Sequence, residues 1–512
     1  MTSAEICASA EDGEQCDIVK ELWRTSSWLR RYETKRVKAL SDEELANIGL
    51  EGAGTSSDSV KRYYAALLKR TQKHSSGLCS SILRVRIPCP DADEDLLKAD
   101  LESVPEHGSV AGWAAIKVVS LEEQPPPHDG FNEYRTLSLA VIHRNRALDR
   151  SRAEVAPRQT NVTNVVHLLS AFVRAAGPWS KEVALVLPLY PCTLAEALRI
   201  PAHHAVPRRV HEAKAIAEPH LGPESLTTSP SSAEFALKVT KGVLSGLNFL
   251  HSIGIAHRDI KPSNVLLSYD GEAILADLGV ATRVPASHAG KVATLCERPS
   301  RTAEVGTTCY RPPELLFSPS KGYDGSKADV WSAGASLIEL WTALVKKAPR
   351  RKASEVRLPH WETALADDQS WQRYSGAQSK SALSSNWSFD EEEEEPYEDQ
   401  DHEEESELIR DSKRQSLFDG RGEIALAGSI FAILGRPTDQ TEWPESEHFS
   451  PPLSRMPFPA RKPVEGGLKR HLAISFRSAA EQAAFEFCES AIRLSAGARP
   501  SAADALARLG AS

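Results

Sequence analysis

Between His257 and Gly279 the chain reads HRDIKPSNVLLSYDGEAILADLG. Asp259, Lys261, Asn264 and Asp277 stand here among valines, leucines, isoleucines and alanines that favour burial. Two carboxylates, an ammonium and an amide are expensive to place against an apolar core unless they meet one another or a ligand.

These residue types suit phosphoryl transfer. One carboxylate, Asp259, would orient an attacking hydroxyl and accept its proton. A second carboxylate and an amide oxygen, Asp277 and Asn264, would hold Mg²⁺, which prefers hard oxygen ligands. Lys261 would neutralise charge near the transferred group.

The pattern elsewhere is of strands first and helices later, an α+β arrangement of two lobes. ILRVRI from Ile82, WAAIKVV from Trp113, NVVHLLSAF and VALVLPLY read as strands. AEFALKVTKGVLSGLNFLH places Phe235, Val239, Val243, Leu247 and Leu250 on one helical stripe. DVWSAGASLIELW is apolar almost all round, which suits a helix buried on every side. No internal repeat is evident.

Net charge misleads. Thirteen carboxylates and no Lys or Arg lie between Asp390 and Glu407, and without them the net charge of −9 becomes +4. With so few core-forming residues around it, 345–416 reads as a disordered acidic insertion. The expected division is a partly helical extension over 1–70, an N-lobe over 71–190, a C-lobe over 191–344, the insertion, and the rest of the C-lobe over 417–512. Eight scattered cysteines read as reduced thiols rather than a disulfide frame or zinc site. The N-terminus lacks a secretory pattern and no apolar run is long enough to span a membrane. Nucleus or cytoplasm is the expected location, and nothing marks nucleic-acid recognition.

HRDIKPSN resembles the catalytic loop of eukaryotic protein kinases, with DLG where that family has DFG. The resemblance covers about residues 75–510 apart from insertions, and it implies the bilobal kinase fold with ATP and Mg²⁺. Lys117 of AAIK is then the lysine that pairs with the nucleotide phosphates, and Glu133 is its helix partner. YRPPELL supplies Glu314 and ARPSAADAL supplies Arg499, an expected buried ion pair. Asp329 would bind the catalytic-loop backbone, and His257 would pack on Leu278 between the lobes. Ala115 and Leu266 would sandwich the base and Ile82 would also bind ATP, with a hinge at Pro188, Leu189 and Tyr190. SSGLCSSI aligns with the glycine-rich phosphate loop and keeps only Gly77, with Ser75 and Ser80 at the other two places.

Lys261 marks the serine/threonine form of the loop. TAEVGTTCYRPPELLF and GSIFAILGRPTDQTEWPE resemble the cyclin-dependent-kinase group. The absence of a cyclin-binding helix sequence around Glu133, the degenerate loop and a long activation segment resemble fungal single-subunit kinases that activate cyclin-dependent kinases. That resemblance implies a monomer that needs no cyclin and acts on a cyclin-dependent kinase. A cyclin-bound kinase acting on other targets, such as polymerase C-terminal repeats, and a pseudokinase scaffold are the rival readings. Thr302 aligns with an activating threonine, and Arg258 would pair with a phosphate there. Gly306 stands where proline-directed members need an unusual backbone angle, which leaves a proline preference open. The basic cluster from Lys346 to Lys352 reads either as an import signal or as a solvated linker. Ser354 and Ser416 follow basic residues and read as weak phosphorylation sites.

Overall fold

The computed structural model describes residues 71–76, 80–86, 109–110, 113–120, 130–153, 163–175, 181–200, 219, 221–284, 305–317, 319–346 and 412–511. The chain divides into one unit of Met1–Leu344 with Arg414–Ser512 and a second of Val345–Lys413. The first unit is described below. The expectations for residues 1–70, Gly77, Thr302, Ser354 and nearly all of the acidic insertion lie outside the described residues.

The first lobe is built on β1 (Gln72–Ser76), β2 (Ser80–Arg86), β3 (Trp113–Ser120), α1 (Gly130–Ala153), β4 (Ser170–Ala175) and β5 (Lys181–Pro188). The strands form one antiparallel sheet in the order β1-β2-β3-β5-β4. Alternation along β3 sends Ala114, Ile116 and Val118 to one face and Ala115, Lys117 and Val119 to the other. The register sets Ile82 opposite Lys117 and Ala115 opposite Leu187. On α1, Glu133, Leu137 and Val141 recur at the four-residue spacing of one helix face, and all three are buried. A carboxylate thus rides on the apolar stripe that docks the helix.

Only the last three residues of NVVHLLSAF lie in a strand. Asn164 takes a positive φ of 51° and its side chain donates to Ala273 O at 2.9 Å. That turn conformation delays the ladder until Ser170, while Val166 N donates to Leu275 O at 2.8 Å and ties the segment to the second lobe.

The second lobe packs around α2 (Leu194–Ala197), α3 (Ala233–Ser252), α4 (Gly325–Leu337), α5 (Glu423–Leu434), α6 (Gly467–His471), α7 (Ala479–Ala491) and α8 (Ala502–Ala511). Ser232 caps α3 by accepting from Phe235 N at 3.0 Å, and the expected stripe from Phe235 to Leu250 is buried. Asp324 caps α4, where every residue from Ala328 to Leu337 is buried. Residues 414–416, assigned by composition to the insertion, are part of this unit's fold. Arg414 donates to Leu198 O and Thr342 O at 2.9 and 2.8 Å, and Gln415 N donates to Ala343 O at 2.9 Å. Among the described residues no helix is long and apolar enough to cross a membrane.

Gly242 lets α3 press on the strand at Ala273: a Cβ there would lie 2.7 Å from Ala273 O. Helix propensity alone favours Gly242→Ala by about 1 kcal/mol. Overpacking against fixed backbone costs about 1–3 kcal/mol. The variant is expected to show a lower urea midpoint than the parent; a higher one would mean that the contact is slack.

Candidate active site

Lys117 Nζ donates to Glu133 Oε1 and to Asp277 Oδ1, both at 2.9 Å. The three residues come from β3, from α1 and from the segment after a β-hairpin of the second lobe, so one ammonium joins three elements. The Lys117 and Glu133 side chains are 11% and 4% exposed. Burial alone would lower the lysine pKa, but the carboxylates of Asp277 and Glu133 outweigh it and hold Lys117 well above the usual lysine range. Burial would raise Asp277, but Lys117, then Lys261 and His257, hold its carboxyl well below the usual range. Glu133 is pushed up by burial, against the opposing pull of Lys117.

The loop from His257 to Asn264 lies between two short pairings. Ile255–Ala256 pairs with Thr282–Arg283, and Val265–Leu267 pairs with Ala273–Leu275. Asp329, fully buried on α4, accepts from His257 N and Arg258 N, both at 2.7 Å. His251 Nε2 lies 2.9 Å from the same carboxylate. Arg258 and Asp277 have φ of 68° and 63°, a conformation uncommon for non-glycine residues that marks a constrained site.

Asp259 is nearly buried and surrounded by donors. Asn264 Nδ2 donates to Asp259 O at 2.8 Å and to Oδ2 at 3.0 Å. Lys261 Nζ lies 2.9 Å from Oδ2 and donates to Thr307 Oγ1 at 3.0 Å. Thr307 in turn donates to Asp259 Oδ1 from its N at 3.1 Å and from its hydroxyl at 3.0 Å. A carboxylate held by fixed donors is positioned to accept a proton from a hydroxyl brought to it. Thr307 went unread in the sequence; its hydroxyl directly after Gly306 was the available signal.

The residues present suit a magnesium nucleotide. The Asn264 amide nitrogen faces Asp259, which turns its carbonyl oxygen the other way. That oxygen and the second carboxylate oxygen of Asp277 are hard donors of the kind Mg²⁺ takes. Lys117 stands beside them as a cation. Ile82, Ala115 and Leu266 are half-buried, two from the sheet and one from the second lobe. In the expected hinge, the Leu189 carbonyl accepts from Val110 N at 2.7 Å, and the Leu189 side chain packs with Val110 and Trp113. The segment at Val110 covers the back of the hinge, and Tyr190 is buried as well.

Supporting contacts surround this core. Arg499 forms a two-armed pair with Glu314 at 2.6 and 2.7 Å, with its guanidinium 5.0 Å from the Trp331 ring. His257 and Leu278 are fully buried. Gly306 has φ of 77° and its carbonyl accepts from Arg311 Nη2 at 3.0 Å. Arg258 donates through Nε to Val280 O at 2.7 Å. Tyr310 and Ser416 both donate to Glu339 Oε1, at 2.8 and 2.9 Å. Ser416 is therefore a structural hydroxyl, since a phosphate there would face a carboxylate.

The Asp277 shift fixes a sign. An unfolded aspartate binds its proton near pH 3.9, while the folded group holds out to lower pH. Its contribution to stability is complete above the unfolded value and is lost as pH falls through that value toward the folded one. In denaturant titrations from pH 6 to 3, Asp277→Asn should flatten the acid limb. An unchanged limb would remove the ion pair from the account.

The sequence pattern of the protein kinase domain matches residues 157–360. Over 102 residues the chain is 46% identical to a probable cyclin-dependent kinase 9 of Caenorhabditis elegans, covering 20% of each protein. It is 41% identical over 98 residues to the serine/threonine-protein kinase chk1 of Schizosaccharomyces pombe, covering 19% of this chain and 17% of that one. It is 41% identical over 96 residues to the serine/threonine-protein kinase par-4 of Caenorhabditis elegans, covering 19% and 14%. The chain thus spans a fifth or less of these curated relatives. Lys117 and Glu133 precede the matched region, and their place in the site rests on the geometry. The pattern over residues 157–360 and these partial matches support a eukaryotic-type serine/threonine protein kinase domain in this part of the chain.

Proposed function

We propose that this chain is an ATP-dependent serine/threonine protein kinase whose substrate is the activation-segment threonine of a cyclin-dependent kinase. The observation that carries the enzymatic part is the pairing of Lys117 with both Glu133 and Asp277 beside a fully hydrogen-bonded Asp259. A scaffold has no use for a cation balanced between two carboxylates at the edge of a polar cleft. The narrower part rests on the resemblance of GSIFAILGRPTDQTEWPE and TAEVGTTCYRPPELLF to the cyclin-dependent-kinase group. The match to a probable cyclin-dependent kinase 9 keeps the cyclin-bound reading as the alternative.

In this reading Lys117 holds the nucleotide phosphates, and Glu133 holds Lys117. Mg²⁺, when bound through Asn264 and Asp277, neutralises charge on the phosphate oxygens. Asp259 aligns the substrate hydroxyl and takes its proton. Lys261 and Thr307 keep that carboxylate in one orientation, and Lys261 offsets charge as the phosphoryl group moves.

The test is transfer from ATP and Mg²⁺ by the purified chain, without cyclin, onto a catalytically dead cyclin-dependent kinase. Its activation-threonine-to-alanine variant serves as the control. Labelling of the first alone is expected. Labelling only after a cyclin is added favours the alternative, and nucleotide binding without any transfer to protein favours the scaffold. Asp259→Asn should reduce transfer at least 100-fold, on the order of the loss of a general base, with nucleotide affinity within a few-fold of the parent. An unimpaired variant would remove Asp259 from the mechanism.

A further inference from the structure

We propose that Asn132 is a positioning residue that fastens the helix carrying Glu133 to the segment carrying Asp277. The inference rests on the kinase reading above and adds a residue to it. Asn132 precedes Glu133 in α1, and its Nδ2 donates to Ala281 O at 2.8 Å and reaches Gly279 O at 3.5 Å. From the other side, Arg258 Nε donates to Val280 O at 2.7 Å. Three successive carbonyls just after Asp277 and Leu278 are thus held in turn by α1 and by the catalytic loop.

The chemistry fits an amide better than a charge. The targets are carbonyl oxygens, so the side chain must donate. A lysine or arginine here would compete with Lys117 for Glu133, and an aspartate would set a carboxylate against carbonyls and near a site that already balances one cation between two carboxylates. The asparagine adds a neutral attachment on the same helical turn as the ion pair. With it, α1 cannot swing away from the sheet by breaking the Lys117 pair alone; the segment after Asp277 must let go as well. Asn132 therefore couples the state in which Glu133 meets Lys117 to the state in which Asp277 faces the cleft.

The test uses the full chain as wild type, Asn132→Ala, Asn132→Asp, Glu133→Gln and the Asn132→Ala/Glu133→Gln pair. Hydrogen exchange is read on α1 and on residues 278–284, with α3 as the internal control for folding. Phosphotransfer to a protein substrate gives kcat and KM. Loss of one neutral hydrogen bond corresponds to about a five- to tenfold change. Asn132→Ala should speed exchange in both segments by about that factor, lower kcat about as much and leave substrate KM unchanged. Asn132→Asp, which keeps the shape and loses the donor, should do more. In the Glu133→Gln background Asn132→Ala should add little to the loss of kcat, because both act on one equilibrium. Unchanged exchange in the two segments, an Asn132→Asp variant like wild type, or full additivity with Glu133→Gln would overturn the inference. Wild-type chain that exchanges as predicted but transfers no phosphate would instead overturn the kinase reading and leave the coupling standing.

Discussion

A single ammonium between two carboxylates organises this molecule. Lys117 comes from the middle of a sheet, Glu133 from the helix packed on that sheet, and Asp277 from the other lobe. Removing any one of the three leaves a charge at a low-dielectric site without its full complement of partners, and breaking a buried pair in that way is costly. The lobes are thereby linked through the chemistry itself. Wherever Lys117 is paired, the strand, the helix and the Asp277 segment are in register with one another.

The second lobe supplies rigidity. Asp329 accepts from two backbone N–H groups of the loop after Ala256, which holds Arg258 in a conformation it would not adopt freely. Arg499 and Glu314 join the end of the chain to the segment after the cleft, with Trp331 beneath the guanidinium. These charges are interior and balanced, so they define geometry more than they add stability. Asp259 can then be aimed by Thr307, Lys261 and Asn264 within hydrogen-bond distance, without relying on loop flexibility.

Much of this was legible in the sequence, because charged residues in an apolar context have few places to go. The run from His257 to Gly279 named the polar groups and the apolar spacing from Phe235 to Leu250 drew α3, while Glu133 was marked only by the resemblance to protein kinases. The contacts that escaped depend on the path of the backbone. Thr307 and Asn132 are ordinary polar residues whose partners lie 48 residues and more than 140 residues away. Val110 covering Leu189 depends on where a connection between two strands returns. Asn164 delays a would-be strand through its positive φ and a side-chain bond to Ala273, 109 residues away, and the hydrophobic pattern alone did not reveal it. Composition placed the end of the insertion at Ser416, but Arg414 and Ser416 have buried partners that a charge count cannot see.

The most direct test is a calorimetric titration of the whole chain with a non-hydrolysable ATP analogue, with and without Mg²⁺, beside Lys117→Met. The account predicts Mg²⁺-dependent binding by the wild-type chain, weakened at least about tenfold in the variant, as expected for the loss of a charge-assisted contact. Equal affinity in the two proteins, or binding indifferent to Mg²⁺, would contradict the claim that Lys117, Glu133 and Asp277 form a nucleotide site.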